Sequence, residues 1–158
     1  MTAREQNPEP LFPDRTDRSR TDAGMEVRRA VLGDEHVDRS IRSTSEITRD
    51  FQDFITRTAW GDIWSRPGLD RRSRSVAVIT ALAVLGHHDE LRFHLPAGIR
   101  NGLTVDEIRE LLLQAGLYAG VPVANAAFAI AAEVLPGVEE RIAAERAQAA
   151  DTAQEGPQ

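Results

Sequence analysis

The chain has 158 residues, 41% of them apolar, and a formal net charge of −6. That length and composition suit one compact domain with polar ends, and the negative field argues against a nucleic-acid partner. It has no cysteine, and all 19 basic residues are arginine, so thiolate nucleophiles, disulfides and thiol redox pairs are excluded, as is a lysine Schiff base.

Residues 1–24 hold only Leu11 and Phe12 as large apolar side chains and lack the apolar run of a secretory signal. They bury too little surface to offset the entropy of ordering, so a disordered arm is expected. The folded unit is then expected over residues 25–146, with 147–158 a disordered tail. The longest apolar stretch, 76–85, is too short to span a bilayer. A soluble cytoplasmic protein with no membrane partner is expected.

Ser43 and Glu46 have capping-box spacing. Ile47, Phe51, Phe54, Ile55 and Thr58 follow at i, i+4, i+7, i+8 and i+11, the stripe of an amphipathic helix. Trp60 and Trp64 flank Gly61, and Trp60 lies off that stripe. An off-stripe tryptophan points to a subunit interface or a ligand wall, with packing at a helix end as the plain alternative. Arg66, Arg71, Arg72 and Arg74 surround the loop Pro67-Gly68-Leu69-Asp70. A guanidinium fork suits bidentate grip of a carboxylate, although a solvated charge run has the same composition. Arg74 adjoins the first turn of the next helix and is the best candidate of the four. That helix, Arg71–Leu85, is apolar on nearly every side from Val76 onward, as befits one buried in a bundle or between subunits.

A helix over 88–101 sets Glu90 and His94 at i and i+4 on one face, with His87 a further turn back. An acid bonded to an imidazole fixes its tautomer and raises its pKa, which would poise His94 to deliver a proton near neutral pH. A surface pair at a helix start is the plain alternative. His87, His88, Glu90 and His94 also have the spacing of three metal ligands, but no second-shell pattern accompanies them, and neither metal nor cofactor is expected. Thr104 with Glu107 forms a capping box, and Leu103 with Ile108 a hydrophobic staple. Ile108, Leu111, Leu112, Ala115 and Tyr118 or Ala119 then line a buried face, the Tyr118 hydroxyl being read as buried and bonded or, less commonly, catalytic. Gly120 ends this helix and Pro122 opens an Ala-rich one over about 121–135. A further helix is expected over 138–146, beyond Pro136-Gly137. The sum is an all-α bundle of about six helices.

Several stretches resemble the carboxymuconolactone decarboxylase family of the alkylhydroperoxidase-like superfamily. They are Ala59-Trp60-Gly61-Asp62-Ile63-Trp64-Ser65-Arg66-Pro67-Gly68-Leu69-Asp70, Arg74-Ser75, Glu90-Leu91-Arg92-Phe93-His94, residues 101–110, and Tyr118-Ala119-Gly120-Val121-Pro122-Val123-Ala124-Asn125. Together the likeness covers about 35–138. The superfamily's peroxidase branch carries Cys-x-x-Cys and a following His, which fall here on His87, Glu90 and His94, so thiol peroxidase chemistry is excluded.

The resemblance implies an alkylhydroperoxidase-like fold and cofactor-free decarboxylation of 4-carboxymuconolactone, a small dicarboxylate lactone, to the β-ketoadipate enol-lactone in aromatic (protocatechuate) catabolism. On this reading His94 donates the proton, Glu90 orients it, and Arg74 with Arg72 clamps a carboxylate. Trp60 and Trp64 exclude water, and Tyr118 and His87 are further substrate contacts. Related proteins form rings, so a homo-oligomer, trimer or hexamer, is expected. The competing readings are a related lyase or hydrolase on another small carboxylated lactone, and a non-enzymatic oligomeric ligand-binding domain. Pro96 with Gly98 departs from the family pattern. Proline there frees the Arg92 carbonyl and predicts a kink just after His94.

Overall fold

The computed structural model describes residues 15–154. These residues form an all-α fold of eight α-helices and one π-helix, with no strand among them. The helices are α1 (Asp17–Leu32), α2 (Asp34–Arg42), α3 (Arg49–Ile55), continuous with a π-helix (Thr56–Trp64), then α4 (Arg71–Leu85), α5 (His88–Arg100), α6 (Val105–Ala119), α7 (Val121–Val134) and α8 (Val138–Gln154). The count exceeds the expected six because the ends of the chain are helical and the stretch before Trp64 is broken into pieces. No single described helix is long and apolar enough to cross a membrane.

Helix α1 begins inside the stretch expected to be a disordered arm, of which residues 1–14 lie outside the described residues. The Thr16 hydroxyl caps it by accepting from the Ser19 amide at 3.2 Å. Low hydrophobicity misled the sequence reading because the first half of this helix docks by backbone approach, while its apolar contacts, Val27, Val31 and Leu32, lie beyond residue 24. A Cβ on Gly24 would lie 2.1 Å from the Thr56 carbonyl oxygen, and one on Gly61 would lie 2.4 Å from that of Arg20. Two glycines thus let α1 and the π-helix touch main chain to main chain, and Arg20 ties the contact through an ion pair with Asp62. At the other end α8 runs eight residues beyond 146, into the stretch expected to be a tail. Its last buried side chain is Ile142; beyond it Glu145 pairs with Arg100 at 2.6 Å and Arg146 donates to the Arg100 carbonyl at 2.8 Å, and Ala147, Ala149 and Ala150 favour the helix by propensity.

The Ser43–Glu46 capping box does not form. Ser43 closes α2 instead, its hydroxyl donating to the Ser40 carbonyl at 3.0 Å, and the next helix starts only at Arg49. The stripe that follows it faces outward, with Ile47 91%, Phe51 59% and Phe54 53% exposed. Ile47 lies in the turn before α3, and α3 packs mainly on the π-helix that continues it, so the stripe has little to cover it in the single chain; the switch to i→i+5 geometry at Thr56 then turns the off-stripe Trp60 into the interior.

A large core joins Ile79, Leu91, Leu95, Ile108, Leu112 and Ile130 from α4 to α7, and continues to Val138 and Ile142 of α8. A smaller one holds Val31, Trp60 and Ala97, with Trp64 packed against it. Helix α5 serves both, with Leu91 and Leu95 turned to the first and Ala97 to the second. It touches α1, α4, α6, α7 and α8, which makes it the central helix in place of α4. Only Ser75, Ile79 and Ala83 of α4 are fully buried, and Leu85 is 66% exposed in the single chain. Helix α5 continues through Pro96 to Arg100. The Thr104–Glu107 capping box is present in full, each side chain accepting from the other residue's amide at 3.0–3.1 Å. Gly120 and Pro122 sit where the sequence places them.

Candidate active site

The π-helix and α5 meet through a set of stacked rings. Trp64 stands 5.1 Å from Trp60 between centroids and lies near-parallel to the His94 imidazole, at 6.4 Å and 17°. Phe93 lies 4.9 Å from His94 and 4.7 Å from His36 of α2. π-Turns recur at functional sites because they redirect side chains that an α-helix would aim elsewhere, and here the turn sets both tryptophans against the His94 side of α5.

The electrostatics differ from the expectation built on Glu90. Glu90 is exposed and makes no hydrogen bond or ion pair with His94. The His94 pKa is lowered to about 4, first by burial and then by repulsion from His36. The pair shares a face by spacing, but the carboxylate sits at the solvent-facing start of α5 while the imidazole sinks among aromatic rings. His36 is pushed down in the same direction by burial, by Arg28 and by Arg39. Both imidazoles are therefore neutral at pH 7 in the free protein.

The two arginines expected to clamp a carboxylate hold protein groups instead. Arg74 donates through Nε to the Leu69 carbonyl at 3.1 Å and through Nη2 to that of Arg66 at 2.9 Å, so it braces the loop before α4. Arg72 pairs with Glu107, tying α4 to the first turn of α6. His87 is an exposed residue at the α5 N-cap. Tyr118 is 82% exposed at the end of α6 rather than buried. Among the described residues no three of His, Asp or Glu gather so as to hold a metal ion.

Arg28 and His36 were not singled out by sequence reasoning. Arg28 is 5% exposed on α1. Its Nη2 donates to Ser40 Oγ at 2.9 Å and to Gln52 Oε1 at 3.1 Å, and its Nη1 to Thr56 Oγ1 at 3.3 Å. All three acceptors are neutral. No carboxylate pairs with it among the described residues, and its buried Nε has no partner. The available signal was that Arg28 occupies the same i, i+4, i+7 row as Gly24 and Val31, and a charge on a buried row is rare without a reason. A groove of about 1050 Å³ has His36 and Phe93 in its lining, with Arg39, Arg92 and Arg100 and the acids Asp34, Glu35 and Glu145, but neither Arg28 nor His94. A smaller apolar groove of about 450 Å³ between α6, α7 and α8 is lined by none of the ring residues.

The arrangement sets a buried guanidinium and two half-buried imidazoles among aromatic rings, and among the described residues no carboxylate pairs with Arg28 or His94. Residues 49–133 match the model of the carboxymuconolactone decarboxylase family. The chain belongs to this family. Among its relatives, the 4-carboxymuconolactone decarboxylase of Acinetobacter baylyi is 52% identical over 118 residues, covering 75% of this chain and 88% of that protein. The nitrosuccinic acid decarboxylase npaB of Metarhizium robertsii is 43% identical over 101 residues, 64% of this chain and 71% of its own length. The 4-carboxymuconolactone decarboxylase of Pseudomonas putida is 54% identical over 46 residues, 29% of this chain and 96% of that sequence. The family match runs from α3 through nearly all of α7, so the tryptophans and His94 lie inside it, whereas Arg28 and His36 precede it.

Proposed function

We propose that this chain is a cytoplasmic carboxy-lyase that converts 4-carboxymuconolactone to the β-ketoadipate enol-lactone in aromatic catabolism, without a cofactor. The observation that carries the reading is 52% identity to a 4-carboxymuconolactone decarboxylase through 88% of that protein. The chemistry of the second relative's name agrees. Nitrosuccinic acid is also a small diacid, and its nitro group, like an unsaturated lactone, takes up the electron pair that departing carbon dioxide leaves behind.

On this reading the ring carbon bearing the carboxylate and the acetate arm loses carbon dioxide. The bonding pair enters the ring as a new double bond, the existing one shifts, and the charge settles on the lactone carbonyl oxygen as a dienolate. One proton added at the α-carbon gives the enol-lactone. His94 delivers that proton. It is neutral in the free protein, and the negative charge of the bound diacid returns it to the imidazolium form, since an anion nearby favours the cation. The substrate thereby recruits its own acid catalyst. Trp64 and Phe93 cover the imidazole and keep water from the reacting carboxylate, whose release as a neutral gas is favoured where its charge is poorly solvated.

The test is to add 4-carboxymuconolactone to metal-stripped protein and follow carbon dioxide and enol-lactone together. Equal yields of the two are expected. His94→Gln should lower turnover about 10²–10⁴-fold, the usual worth of a positioned general acid. Wild-type turnover in that variant would remove His94 from the mechanism, and no turnover by the wild type would refute the function.

We further propose that the chain works as a homo-oligomer, a trimer or hexamer. Exposed Leu85, Leu113, Leu117, Tyr118 and Val121 at the ends of α4 and α6 and the start of α7 support this, because large apolar side chains left open together mark contact surfaces. Sedimentation as a monomer at micromolar concentration would contradict it.

A further inference from the structure

We propose that Arg28 is the anion anchor of this pocket, its buried Nε–H taking the carboxylate of a bound diacid that stays on the molecule while the other is lost beside His94. The identity of the diacid rests on the decarboxylase reading; the anchor itself does not.

The argument begins with what Arg28 lacks. A guanidinium with 5% exposure carries a large desolvation cost, and buried charges are otherwise held by a counter-ion. Here the acceptors are a serine, a threonine and a glutamine, all neutral, and the Nε donor is orphaned in the interior. Orphaned buried donors are rare in native proteins and mark a group whose partner is a ligand or an ion. The charge of Arg28 also bears on His36, a histidine rather than an acid, and no carboxylate pairs with it among the described residues.

Position supplies the second strand. His36 senses the charge of Arg28, and His94 senses His36. The rings His36, Phe93 and His94 run in sequence at 4.7 and 4.9 Å, and the large groove opens onto the first two. Arg28 and His94 do not themselves line that groove, so a diacid comes to them by passing His36 and Phe93. Thr56, the first residue of the π-helix, is one of the Arg28 acceptors, so the turn that aims the tryptophans also helps seat the guanidinium.

Chemistry then decides which carboxylate Arg28 holds. A tight grip on the departing carboxylate would stabilise the ground state more than the transition state and slow the step. Arg28 accordingly binds the acetate arm, and the reacting carboxylate faces the rings. The structure thus assigns the pocket to diacids rather than to lactones bearing a single carboxylate on the reacting carbon.

The probe is the ring-saturated analogue of the lactone diacid, which has the same two carboxylates but no double bond to accept electrons. Calorimetric titration should show it binding the full-length wild-type protein, and Arg28→Met should weaken it about 10- to 100-fold, the loss of one charge-assisted contact. In turnover the same variant should raise KM more than it lowers kcat. Full affinity in folded Arg28→Met protein, or a wild type that ignores the probe, would overturn the anchor. Should Arg28→Met not fold, the Arg28 Nε–H NMR resonance of the wild type decides, because it must shift as the probe saturates, and an unmoved signal refutes the proposal. Arg28-dependent binding of the probe in a protein that releases no carbon dioxide from 4-carboxymuconolactone would leave the anchor standing while removing the assigned reaction.

Discussion

The sharpest consequence of a buried, acid-free imidazole is that its proton affinity belongs to the complex and not to the free protein. Free His94 titrates at about 4, so at pH 7 only about one molecule in a thousand carries the proton. A carboxylate about 5 Å away, in surroundings of effective dielectric about 20, adds about 3 kcal/mol in favour of the imidazolium. That is about two pH units, enough to bring His94 back close to its ordinary 6.5. Two measurements follow. The His94 ring signal in proton NMR should titrate near 4 alone and near 6 to 7 with the ring-saturated diacid bound. In steady-state kinetics kcat/KM, which reports the free enzyme, should fall with rising pH from about 4 upward, whereas kcat, which reports the complex, should hold level to about 6.5. A free His94 that titrates near 6.5, or one that does not respond to the diacid, would refute the account of how the acid is generated.

Acid should also destabilise the fold through the same group. Because His94 is depressed in the folded state, the unfolded chain binds the extra proton first, so stability is full above about 6.5 and is lost as pH falls toward about 4. At about 1.4 kcal/mol per pH unit, His94 accounts for up to about 3 kcal/mol of that loss, and urea unfolding at pH 7 and pH 4.5 should show the decline smaller in His94→Gln. Gly61→Ala should lower the melting temperature by several degrees, since its Cβ would press on the Arg20 carbonyl oxygen at 2.4 Å and overpacking of that kind costs about 1–3 kcal/mol. A rise in melting temperature, as helix propensity alone would give, would disprove the close contact. Arg74→Met should leave KM unchanged and speed hydrogen exchange in the loop 65–70 that Arg74 braces. A large rise in KM would return Arg74 to the substrate.

The all-helical class, the α6 capping box and the α6–α7 junction were legible because they depend on local chemistry. Thr104, Glu107, Gly120 and Pro122 act within a few residues of themselves. What was lost depended on pairs far apart in the chain. Gly24 and Gly61 make α1 a docked helix, and neither glycine announces this where it stands. The π-turn at Thr56 set Trp60 and Trp64 off the stripe begun by Phe51 and Phe54, because hydrophobic periodicity presumes a constant register. At the site, the helix that carries Glu90 and His94 was readable, but the environment of His94 was not. The i+4 spacing to Glu90 describes a helix face, and a face has one edge in solvent and another in the core.

That division of the α5 surface explains how one frame supports more than one chemistry. On this chain the positions that would hold a redox pair in the superfamily's thiol branch are His87 and Glu90, and both are exposed, while His94 packs against Trp64. The outward positions thus face solvent, and on the proposed mechanism the chemistry rests on the inward residue. A neutral imidazole against aromatic rings is a weak acid by itself, and a lone buried guanidinium is costly by itself. Each becomes useful when an anion enters between them, since one charge satisfies Arg28 and protonates His94 together. On the proposed mechanism a carboxylate fixed between them would neutralise Arg28, hold His94 charged in the empty site, and leave a diacid substrate with nothing to supply.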